Sequence, residues 1–393
     1  MIPFQQALSI VESQDVRLET ERVAVSQAGG RFLVESLTST IDHPPFSKAA
    51  MDGYAVAAGD QSEKLRILET IAAGEVPRYE VTPGTCSRIM TGAPVPEGAG
   101  LVHRVEYTEA RNGHMIPTRA EPAVNIINQG ENLRSGEPAL TPRLLTAQDV
   151  GVVASLGIAR VEVMRRPRIG IISTGSELAE PGEAVSDGGI YNSNAFQLIA
   201  HAATVGGDPT YYGIVEDTQH ALEAVLSRAF SQNDIVVLTG GVSKGEFDYV
   251  PDALENTGVE VLFHRVAMKP GRPTLFGRRR GGGTQYVFGL PGNPVSTFVT
   301  FEVFVTALLH RLAGQQYRPP VCSAVLSTPV SKKDPERTEF IPVRRNGEHV
   351  EPVRYGGSSH LSALGEADAL LQLEVGTTGF DSGAHVYVRP IRT

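Results

Sequence analysis

Apolar residues recur along this chain with two periods, which alternate between residues 167 and 313. Short apolar runs, RIGIIST, DIVVLTGG and TQYVFGLPG, are interleaved with amphipathic stretches such as NAFQLIAHAATVGG and HALEAVLSRAF. A continuous apolar run of this length is typical of a strand buried on both faces, and the longer stretches have helical spacing. The pattern predicts a mostly parallel sheet covered by helices on both faces, followed by a long apolar helix from Pro294 to Leu312.

The segments on either side of this domain have a different pattern. Pro3 to Val16 and Thr146 to Leu156 show helical spacing, whereas the residues between them form short β-type runs such as LRILETI and AGLVHRVEY. After Gly314 the chain alternates again, in runs such as EFIPVRR and AHVYVRPI. We therefore predict an α/β multidomain protein with a discontinuous helical linker domain (1–38 and 131–166), an inserted β domain (39–130), the central α/β domain (167–315) and a C-terminal β domain (316–393).

The charge balance of the 393 residues narrows the possible partners. Lys and Arg total 35 against 44 for Asp and Glu, and the net charge of −9 has the wrong sign for general affinity to nucleic acid or anionic lipid. Cys86 and Cys322 are the only cysteines, which indicates neither a disulfide framework nor a structural zinc site. No apolar run approaches the roughly 20 residues of a membrane span. We expect a soluble, cytoplasmic protein that binds neither nucleic acid nor membrane.

The strongest local signal for chemistry is the glycine-rich string LTGGVSKGEFDYV, in which a buried strand ends before a helix that opens near Asp248. Glycines let backbone N–H groups approach an anion, and a helix N-terminus favours negative charge. The candidate ligand-binding residues of this loop are Gly240, Gly241, Ser243 and Gly245. The alternative is a tight turn in which Asp248 caps the helix.

Three further loops of this kind occur in the same domain, at Ser173–Leu178, Lys269–Pro273 and Leu290–Ser296. Because strand ends on one edge of a parallel sheet converge, we expect these loops to meet the Gly240 loop. Alone, each is a generic turn sequence. Together they predict a site for a phosphorylated or oxyanionic small molecule, with candidate residues Ser173, Thr174, Gly175, Pro270, Gly271, Arg272, Pro291, Gly292 and Asn293.

Charged residues of both signs lie near these loops. The acidic ones are Glu177, Asp217 and Asp248, and the basic ones are Arg265, Lys269 and Arg272. Carboxylates pointed at a phosphate would repel it unless a divalent cation lies between them, and Mg²⁺ takes one or two carboxylates together with substrate oxygens. We therefore infer a Mg²⁺-assisted phosphate site; the alternative is a set of ordinary ion pairs or helix caps.

Three motifs lie outside the α/β domain. PPFSKAAMDGYAV places Asp52 at an Asp-Gly turn, RIMTGAPVPEGA contains Thr91, and GENLRSGE follows between 130 and 137. On spacing alone the first two are as consistent with plain hairpin corners as with a site. The third is a polar turn or a surface that receives a partner.

In this order along the chain, the motifs resemble one family closely: the molybdopterin molybdenumtransferases of molybdenum cofactor synthesis, called MoeA in bacteria and found as the E domain of gephyrin. The resemblance rests on PPFSKAAMDGYAV, TGAPVPEGA, GENLRSGE, PRIGIISTGSEL, IYNSNAFQL, DIVVLTGGVSKGEFDYV, AMKPGRPTLFG and LPGNPVSTF. It spans nearly the whole chain. Two departures are that Arg265 stands where many relatives have Lys, and that Ser47-Lys48-Ala49-Ala50 replaces the more usual Asn-Ser before MDGYA.

The resemblance implies four structural domains, a homodimer and a site in a cleft between subunits. It also implies a reaction that inserts molybdenum from molybdate into adenylylated molybdopterin and releases AMP with the support of Mg²⁺ or another divalent cation. The functional residues carried over from the family are Asp52, Thr91, Glu177, Asp217, Asp248, Arg265, Lys269, Arg337 and Ser359. Asp217 and Asp248 would organise metal and phosphate, and Asp52 and Thr91 would come from the other subunit.

The same resemblance indicates which partners and rival functions to consider. A molybdopterin adenylyltransferase and the enzymes that receive the cofactor are possible partners. Tungsten insertion into the same pterin stays open, because molybdate and tungstate are tetrahedral dianions of nearly equal size. The chain could also be an adenylyltransferase itself, which would consume ATP, or a non-enzymatic scaffold, which would need a peptide-binding groove without turnover.

Overall fold

The fold is described for residues 1–14, 18–241, 249–280 and 284–391, in a computed structural model. Contacts divide these residues into two units, with 1–21, 30–32 and 163–393 in the first unit and 22–29 and 33–162 in the second. This division is coarser than the four predicted domains, whose boundaries stay a prediction. Ser243, Gly245 and Asp248 of the predicted phosphate loop lie outside the described residues.

Six strands form the sheet of the α/β domain. They are β1 (Arg168–Thr174), β2 (Asp208–Val215), β3 (Ile235–Thr239), β4 (Val259–His264), β5 (Leu275–Arg280) and β6 (Thr284–Leu290). Their order is β2-β1-β3-β6-β5-β4, in which the first four strands and β4 run in one direction and β5 runs antiparallel between β6 and β4. The predicted mostly parallel sheet is confirmed. Parallel pairing places the carboxyl ends of β1, β3 and β6 at one edge.

Helices cover both faces of this sheet. They are α1 (Ser193–Thr204), α2 (Gln219–Gln232) and α3 (Val250–Asn256), followed by a continuous helix that comprises α4 (Pro294–Thr300), a π-helical segment (Phe301–Val305) and α5 (Thr306–Leu312). Leu226 and Phe230 of α2 are fully buried in one cluster with Leu238 of β3. Ile171 and Val237 are neighbours of the strand residues in that cluster, so their side chains point to the opposite face of the sheet. They are also fully buried, and both faces of the sheet are therefore packed.

The long apolar helix predicted from Pro294 to Leu312 is confirmed. By length and apolar composition this helix is sufficient to cross a membrane, although its sequence is interrupted by polar residues such as Glu302 and Arg311. In the structure, 83% of its most apolar window is buried inside the protein. This helix is therefore packed as a core helix of the first unit.

The C-terminal β domain has a closed pattern of strand pairing. Five strands pair in a cycle: Thr338–Asn346, His349–Pro352, Cys322–Leu326, His385–Pro390 and Ala369–Leu373. Two strands from elsewhere extend it, since Val266–Lys269 pairs with Thr338–Asn346 and Ile2–Pro3 pairs with Val266–Lys269. The apolar string VEVLFHRVAM is thus divided between two sheets, with Val259–His264 in the α/β sheet and Val266–Lys269 on the C-terminal sheet. The chain changes sheets at Arg265, which has φ +73°.

The second unit contains a six-stranded sheet and one helix. In sheet order its strands are Ala99–Arg104, Gly53–Ala57, Thr85–Ile89, Leu65–Ile71, His114–Pro117 and Thr108–Arg111. The helix Ala147–Ser155 is capped as its sequence predicts, because Thr146 Oγ1 accepts from the Asp149 N–H and the Asp149 carboxylate accepts from the Thr146 N–H.

Shorter elements complete both units. The predicted helix from Pro3 to Val16 is observed over Phe4–Glu12. The remaining strands and helical turns are Thr20–Ala24, Val25–Gln27, Leu37–Thr38, Lys48–Ala49, Val105–Tyr107, Ile126–Ile127, Pro138–Leu140, Arg160–Met164, Leu178–Ala179, Ile190–Tyr191, Val330–Ser331, Ser362–Glu366 and Gly379–Phe380.

Leu238 tests the dependence of the fold on the central strand β3. The Leu238→Ala variant should lower the free energy of unfolding by about 2–5 kcal/mol, because a fully buried side chain leaves a cavity between β3 and α2. Chemical unfolding followed by circular dichroism measures the change. The control Val261→Ala, in β4 of the same sheet with a 40% exposed side chain, should change it by less than about 0.5 kcal/mol. Equal losses in both variants would contradict this packing.

Candidate functional site

Three of the four predicted loops meet at the carboxyl edge of the α/β sheet. Gly240 follows β3 with φ +94°, and its N–H donates to the Leu290 carbonyl at the end of β6 (3.3 Å). A Cβ at Gly240 would lie 2.3 Å from the Thr174 carbonyl oxygen at the end of β1. A Cβ at Gly292 would lie 3.7 Å from Gly240 Cα. The expected meeting of the Ser173–Leu178, Gly240 and Leu290–Ser296 loops is confirmed.

The fourth loop, Lys269–Pro273, reaches this edge by another route. It follows the strand Val266–Lys269, which belongs to the C-terminal sheet, and so it does not follow a strand of the α/β sheet as predicted. The loop instead precedes β5, where Leu275 pairs with Gly289 near the end of β6. Because β5 is antiparallel, its start lies at the same edge as the ends of the parallel strands. Lys269–Pro270 is a cis peptide bond.

Two asparagines at the start of α1 hold the strand-end loops together. Asn194 Nδ2 donates to Thr239 Oγ1 (2.9 Å) and to the Gly292 carbonyl (2.7 Å). Asn192 Oδ1 accepts from Ser173 Oγ (3.2 Å), and Ser173 is fully buried. The Ser173 hydroxyl, predicted to bind substrate, thus bonds within the protein. Sequence reasoning assigned no role to either asparagine, although the helix-capping pattern in IYNSNAFQL is a signal for Asn192.

Three buried oxygen atoms at this edge have no hydrogen-bond partner among the described residues. They are Asp217 Oδ1, Thr174 Oγ1 and Asn194 Oδ1. A Cβ at Gly241 would lie 2.9 Å from Thr174 Oγ1 and 3.8 Å from Asp217 Oδ1, so these two oxygens face the second glycine of the loop. Buried polar atoms in native proteins are nearly always hydrogen-bonded, and such exceptions occur where a ligand or ion binds.

The electrostatics at Asp217 favour a cation. Burial raises the pKa of the Asp217 carboxyl, and the negative charge of Glu177 raises it further. Nowhere in the described parts of the chain do three His, Cys, Asp or Glu side chains form a group that could hold a metal ion. A carboxylate pair nevertheless suits Mg²⁺, which takes one or two carboxylates and completes its shell with water and phosphate oxygens. The donor set of Asp217 and Glu177 therefore fits a divalent cation.

The predicted basic residues lie on the strand Val266–Lys269 and beside it. Lys269 Nζ is 2.7 Å from Glu339 Oε1, and the Arg337 guanidinium is 2.7 Å from Asp334 Oδ2. Met268 pairs with Thr338 in the parallel ladder, and Arg337 directly precedes the strand that begins at Thr338, next to the strand that ends at Lys269. Arg272 is exposed in the loop that follows. The structure therefore separates the cations, on the C-terminal sheet and its loop, from the carboxylates of the α/β loops.

The loop 356–360 of the C-terminal domain also contacts this edge. Asn293 Nδ2 donates to Ser358 Oγ (2.9 Å), and the Val295 N–H donates to the Ser358 carbonyl (3.1 Å). The predicted residue Ser359 is adjacent, but Ser358 makes these contacts. Sequence reasoning missed Ser358 and Glu339, although the strings SSH and RTEF contain both.

Asp52 and Thr91 form their own arrangement within the second unit. Thr91 donates to Asp52 Oδ1 from its N–H (2.7 Å) and from its hydroxyl (2.6 Å). These two hydrogen bonds hold the pKa of the exposed Asp52 carboxyl below its ordinary value. The structure thus brings the two predicted residues together, with Asp52 favoured as an anion.

The parallel sheet, the glycine loops and the carboxylate pair define an α/β protein that binds phosphorylated or oxyanionic ligands. Residues 170–311 match the family described as probable molybdopterin binding domain, residues 2–157 match the MoeA N-terminal region (domain I and II), and residues 323–391 match the MoeA C-terminal region (domain IV).

Individual relatives agree with these matches along the whole chain. The molybdopterin molybdenumtransferase of Bacillus subtilis (strain 168) is 35% identical, with 100% of this chain and 94% of the relative covered. That of Staphylococcus aureus (strain Mu50) is 32% identical over 97% of this chain and 94% of the relative. The crystal structure of the molybdopterin biosynthesis moeA protein from Pyrococcus horikoshii OT3 superposes with a TM-score of 0.86 at 31% identity, covering 99% and 100% of the two chains. The chain belongs to the molybdopterin molybdenumtransferase family.

The close approach of the loops at Gly240 makes that glycine irreplaceable. The Gly240→Ala variant should be destabilised by more than the roughly 1–3 kcal/mol of a strained backbone, because its Cβ also meets the Thr174 carbonyl. The matched control is Gly206→Ala, which has φ +88° and no atom within 4 Å of its added Cβ. Urea unfolding of both variants gives the comparison. Similar losses of free energy would mean that the loops can separate at little cost.

Asp217 makes the ligand-free protein less stable at neutral pH, and Asp217→Asn should raise its unfolding temperature there. Burial and Glu177 place the folded pKa of Asp217 above its unfolded value of 3.8, so the ionised form lowers stability at every pH above the folded pKa. The difference between variant and wild type should shrink as the pH falls toward 3.8. Scanning calorimetry across this range measures it, with the exposed Asp208→Asn as control. A variant less stable than wild type near pH 7 would contradict the assignment.

Proposed function

We propose that this chain inserts molybdenum from molybdate into adenylylated molybdopterin and releases AMP with the support of Mg²⁺. As a member of its family, the chain is a molybdopterin molybdenumtransferase of molybdenum cofactor biosynthesis. The finer proposal is supported mainly by Asp217 Oδ1 and Thr174 Oγ1, two buried oxygens beside the Gly240–Gly241 backbone that have no partner in the part of the chain that the structure describes. A bound phosphate together with a cation would supply binding partners for these two oxygen atoms.

The phosphate end of the substrate fits the α/β loops. The backbone at Gly240 and Gly241 has no side chain to block an approaching oxygen, and helix α4 begins at Pro294, so its positive end adds to the attraction. Asp217 and Glu177 would hold the divalent cation, which would neutralise charge between these carboxylates and the phosphate. Asp248 and Ser243 are proposed for the same work on the resemblance alone, because they lie outside the described residues.

The molybdate end fits the cationic strand. Lys269 has a 51% exposed side chain, so its pair with Glu339 contributes little to stability and can open toward an oxyanion. Arg337, Arg265 and Arg272 are the further cations proposed near it. The pterin dithiolene already supplies the sulfur ligands, so the protein needs only to position a tetrahedral oxyanion and to assist cleavage of the bond to AMP. No protein nucleophile is required.

We further propose that the protein works as a homodimer in which Asp52 and Thr91 of one subunit complete the site of the other. The support is the state of Asp52, whose carboxylate is exposed and held as an anion by two hydrogen bonds from Thr91. An exposed, fixed anion of this kind is suited to a second cation or to a donor group of the substrate. Sedimentation equilibrium measures the oligomeric state, and a monomer at working concentration would exclude this arrangement.

An AMP-release assay tests the reaction. With adenylylated molybdopterin, wild-type protein should release AMP faster when molybdate and Mg²⁺ are both present. Lys269→Met should raise the molybdate concentration needed for half-maximal rate by about tenfold, since a lost hydrogen bond to a charged group costs about 1.5–3 kcal/mol. The control Lys333→Met removes an exposed lysine of the C-terminal domain and should leave the rate unchanged.

Two outcomes would contradict the proposal. AMP release that molybdate does not stimulate would exclude molybdenum insertion, and consumption of ATP by the same preparation would favour an adenylyltransferase. The Asp217→Asn variant tests the metal site separately. Its rate of AMP release should stay low at every Mg²⁺ concentration, whereas the wild-type rate should saturate as Mg²⁺ is added. A variant rate that follows the wild-type Mg²⁺ curve would remove Asp217 from the metal site.

A further inference from the structure

A buried carboxylate lies in the middle of the apolar helix 294–312. Glu302 is 7% exposed, and it belongs to the π-helical segment Phe301–Val305. Single π-helical turns inside α-helices are rare and are found mostly at functional sites. A charge buried in an apolar helix is costly unless it is paired, so its partners decide what it does.

Glu302 has a partner on each carboxylate oxygen. His201 Nε2 lies 2.8 Å from Oε2, and Arg389 Nε lies 2.8 Å from Oε1. Arg389 Nη2 also donates to the Glu302 main-chain carbonyl (2.6 Å). Burial opposes ionisation of Glu302, but the hydrogen bond from His201 and the charge of Arg389 outweigh it and hold the pKa below its ordinary value.

Three elements meet at Glu302, and two of them begin at the candidate site. His201 is in α1, which begins with the asparagines that hold the strand-end loops. Glu302 is in the helix that begins at Pro294, directly after the Leu290–Asn293 loop. Arg389 is in the strand His385–Pro390 of the C-terminal domain. One carboxylate therefore joins all three elements, about two helical turns from the loops.

The C-terminal domain has a second polar attachment to the same helix. Ser358 accepts from the Val295 N–H and from Asn293 Nδ2 at the helix start. Apolar contacts between these elements already exist, since Phe4 packs against Phe304 of the helix and Phe340 of the C-terminal sheet, with ring centroids 5.5 and 5.3 Å apart. Apolar packing is non-directional and does not fix the angle of one element on another. The hydrogen bonds between the paired charges are directional, so they fix this angle.

We propose that Glu302 is a positioning residue that, through His201 and Arg389, fixes the C-terminal domain on helix 294–312 and so sets where the Ser358 loop meets Asn293 in the site. Among the described residues, the hydrogen-bond partners of Glu302 lie outside the candidate site. Replacing a buried ion pair by apolar groups often leaves stability unchanged or increases it, so stability alone does not account for this arrangement. The assignment stands on geometry and does not depend on the proposed reaction.

Amide hydrogen exchange at Val295 tests the proposal directly, because that N–H reports the contact with Ser358. In Glu302→Gln, the segment that contains Val295 should exchange about tenfold faster than in wild type, while Val236–Leu238 of the central strand keep their protection. The control is Glu351→Gln, which breaks the exposed ion pair with Arg344 on the same C-terminal sheet and should leave Val295 unchanged. Mass spectrometry of peptic fragments gives both rates.

Two further variants keep the test decisive if Glu302→Gln does not fold. Arg389→Lys keeps the charge but cannot make both bonds of the guanidinium, so it should speed exchange at Val295 less than Arg389→Met does. Val295 protection unchanged in both Arg389 variants would overturn the proposal. Equal acceleration at Val295 and in the central strand would overturn it as well, because the loss would then be global.

A kinetic experiment, which depends on the proposed function, is independent of the amide hydrogen-exchange experiment. Adenylylated molybdopterin should show a KM raised by about tenfold in Glu302→Gln, with kcat within about twofold of wild type, because misplaced binding loops weaken ground-state and transition-state binding alike. A lowered kcat at unchanged KM would contradict positioning of the substrate. If wild type itself shows no molybdate-stimulated release of AMP, the proposed function fails while the exchange result still decides the role of Glu302.

Discussion

The approach of three backbone segments at Gly240 is the constraint on which the candidate site depends. Parallel pairing of β1, β3 and β6 brings their carboxyl ends together, and the Thr174 carbonyl leaves no room for a Cβ at Gly240. The apolar residues of the strands drive this pairing, because their burial outweighs the cost of crowding polar backbone at one edge. The spacing of the polar atoms in the site is thus set by packing in the core. Asn194 then completes the arrangement by bonding to two of the three loops.

Charges of opposite sign reach this edge on different sheets. Asp217 and Glu177 lie on loops of the α/β sheet, whereas Lys269 lies on a strand that pairs with the C-terminal sheet. Close pairing of all of them would neutralise the site. Their separation instead leaves one oxygen of Asp217 without a partner among the described residues, and it pairs Lys269, whose side chain is half-exposed, with Glu339. The net charge of −9 therefore does not predict the charge of the ligand, because the local electric field of these side chains decides where its anionic groups bind.

The sequence predicted those features that depend on local pattern. Buried runs located the parallel strands, helical spacing located the helices, and Thr146 located a cap, because each depends on neighbours within a few residues. The glycine loops were also readable, since strand order follows from the βαβ alternation. The partners of Glu302 and Lys269 could not be predicted from the sequence. Arg389 and Glu339 are 87 and 70 residues away, and local spacing carries no information on such pairs.

Arg265 shows why the apolar pattern of VEVLFHRVAM does not reveal that this string forms two strands. Its φ of +73° is costly for a residue with a Cβ, yet the Arg265 N–H donates to the Thr274 carbonyl (2.9 Å) and its carbonyl accepts from the Ile2 N–H (3.0 Å). These two bonds fix the turn between β4 and the strand Val266–Lys269. Apolar residues continue on both sides of the turn, so hydrophobic pattern alone cannot reveal it. The same turn directs the following strand into the C-terminal sheet, and Lys269 thereby enters the site from that sheet.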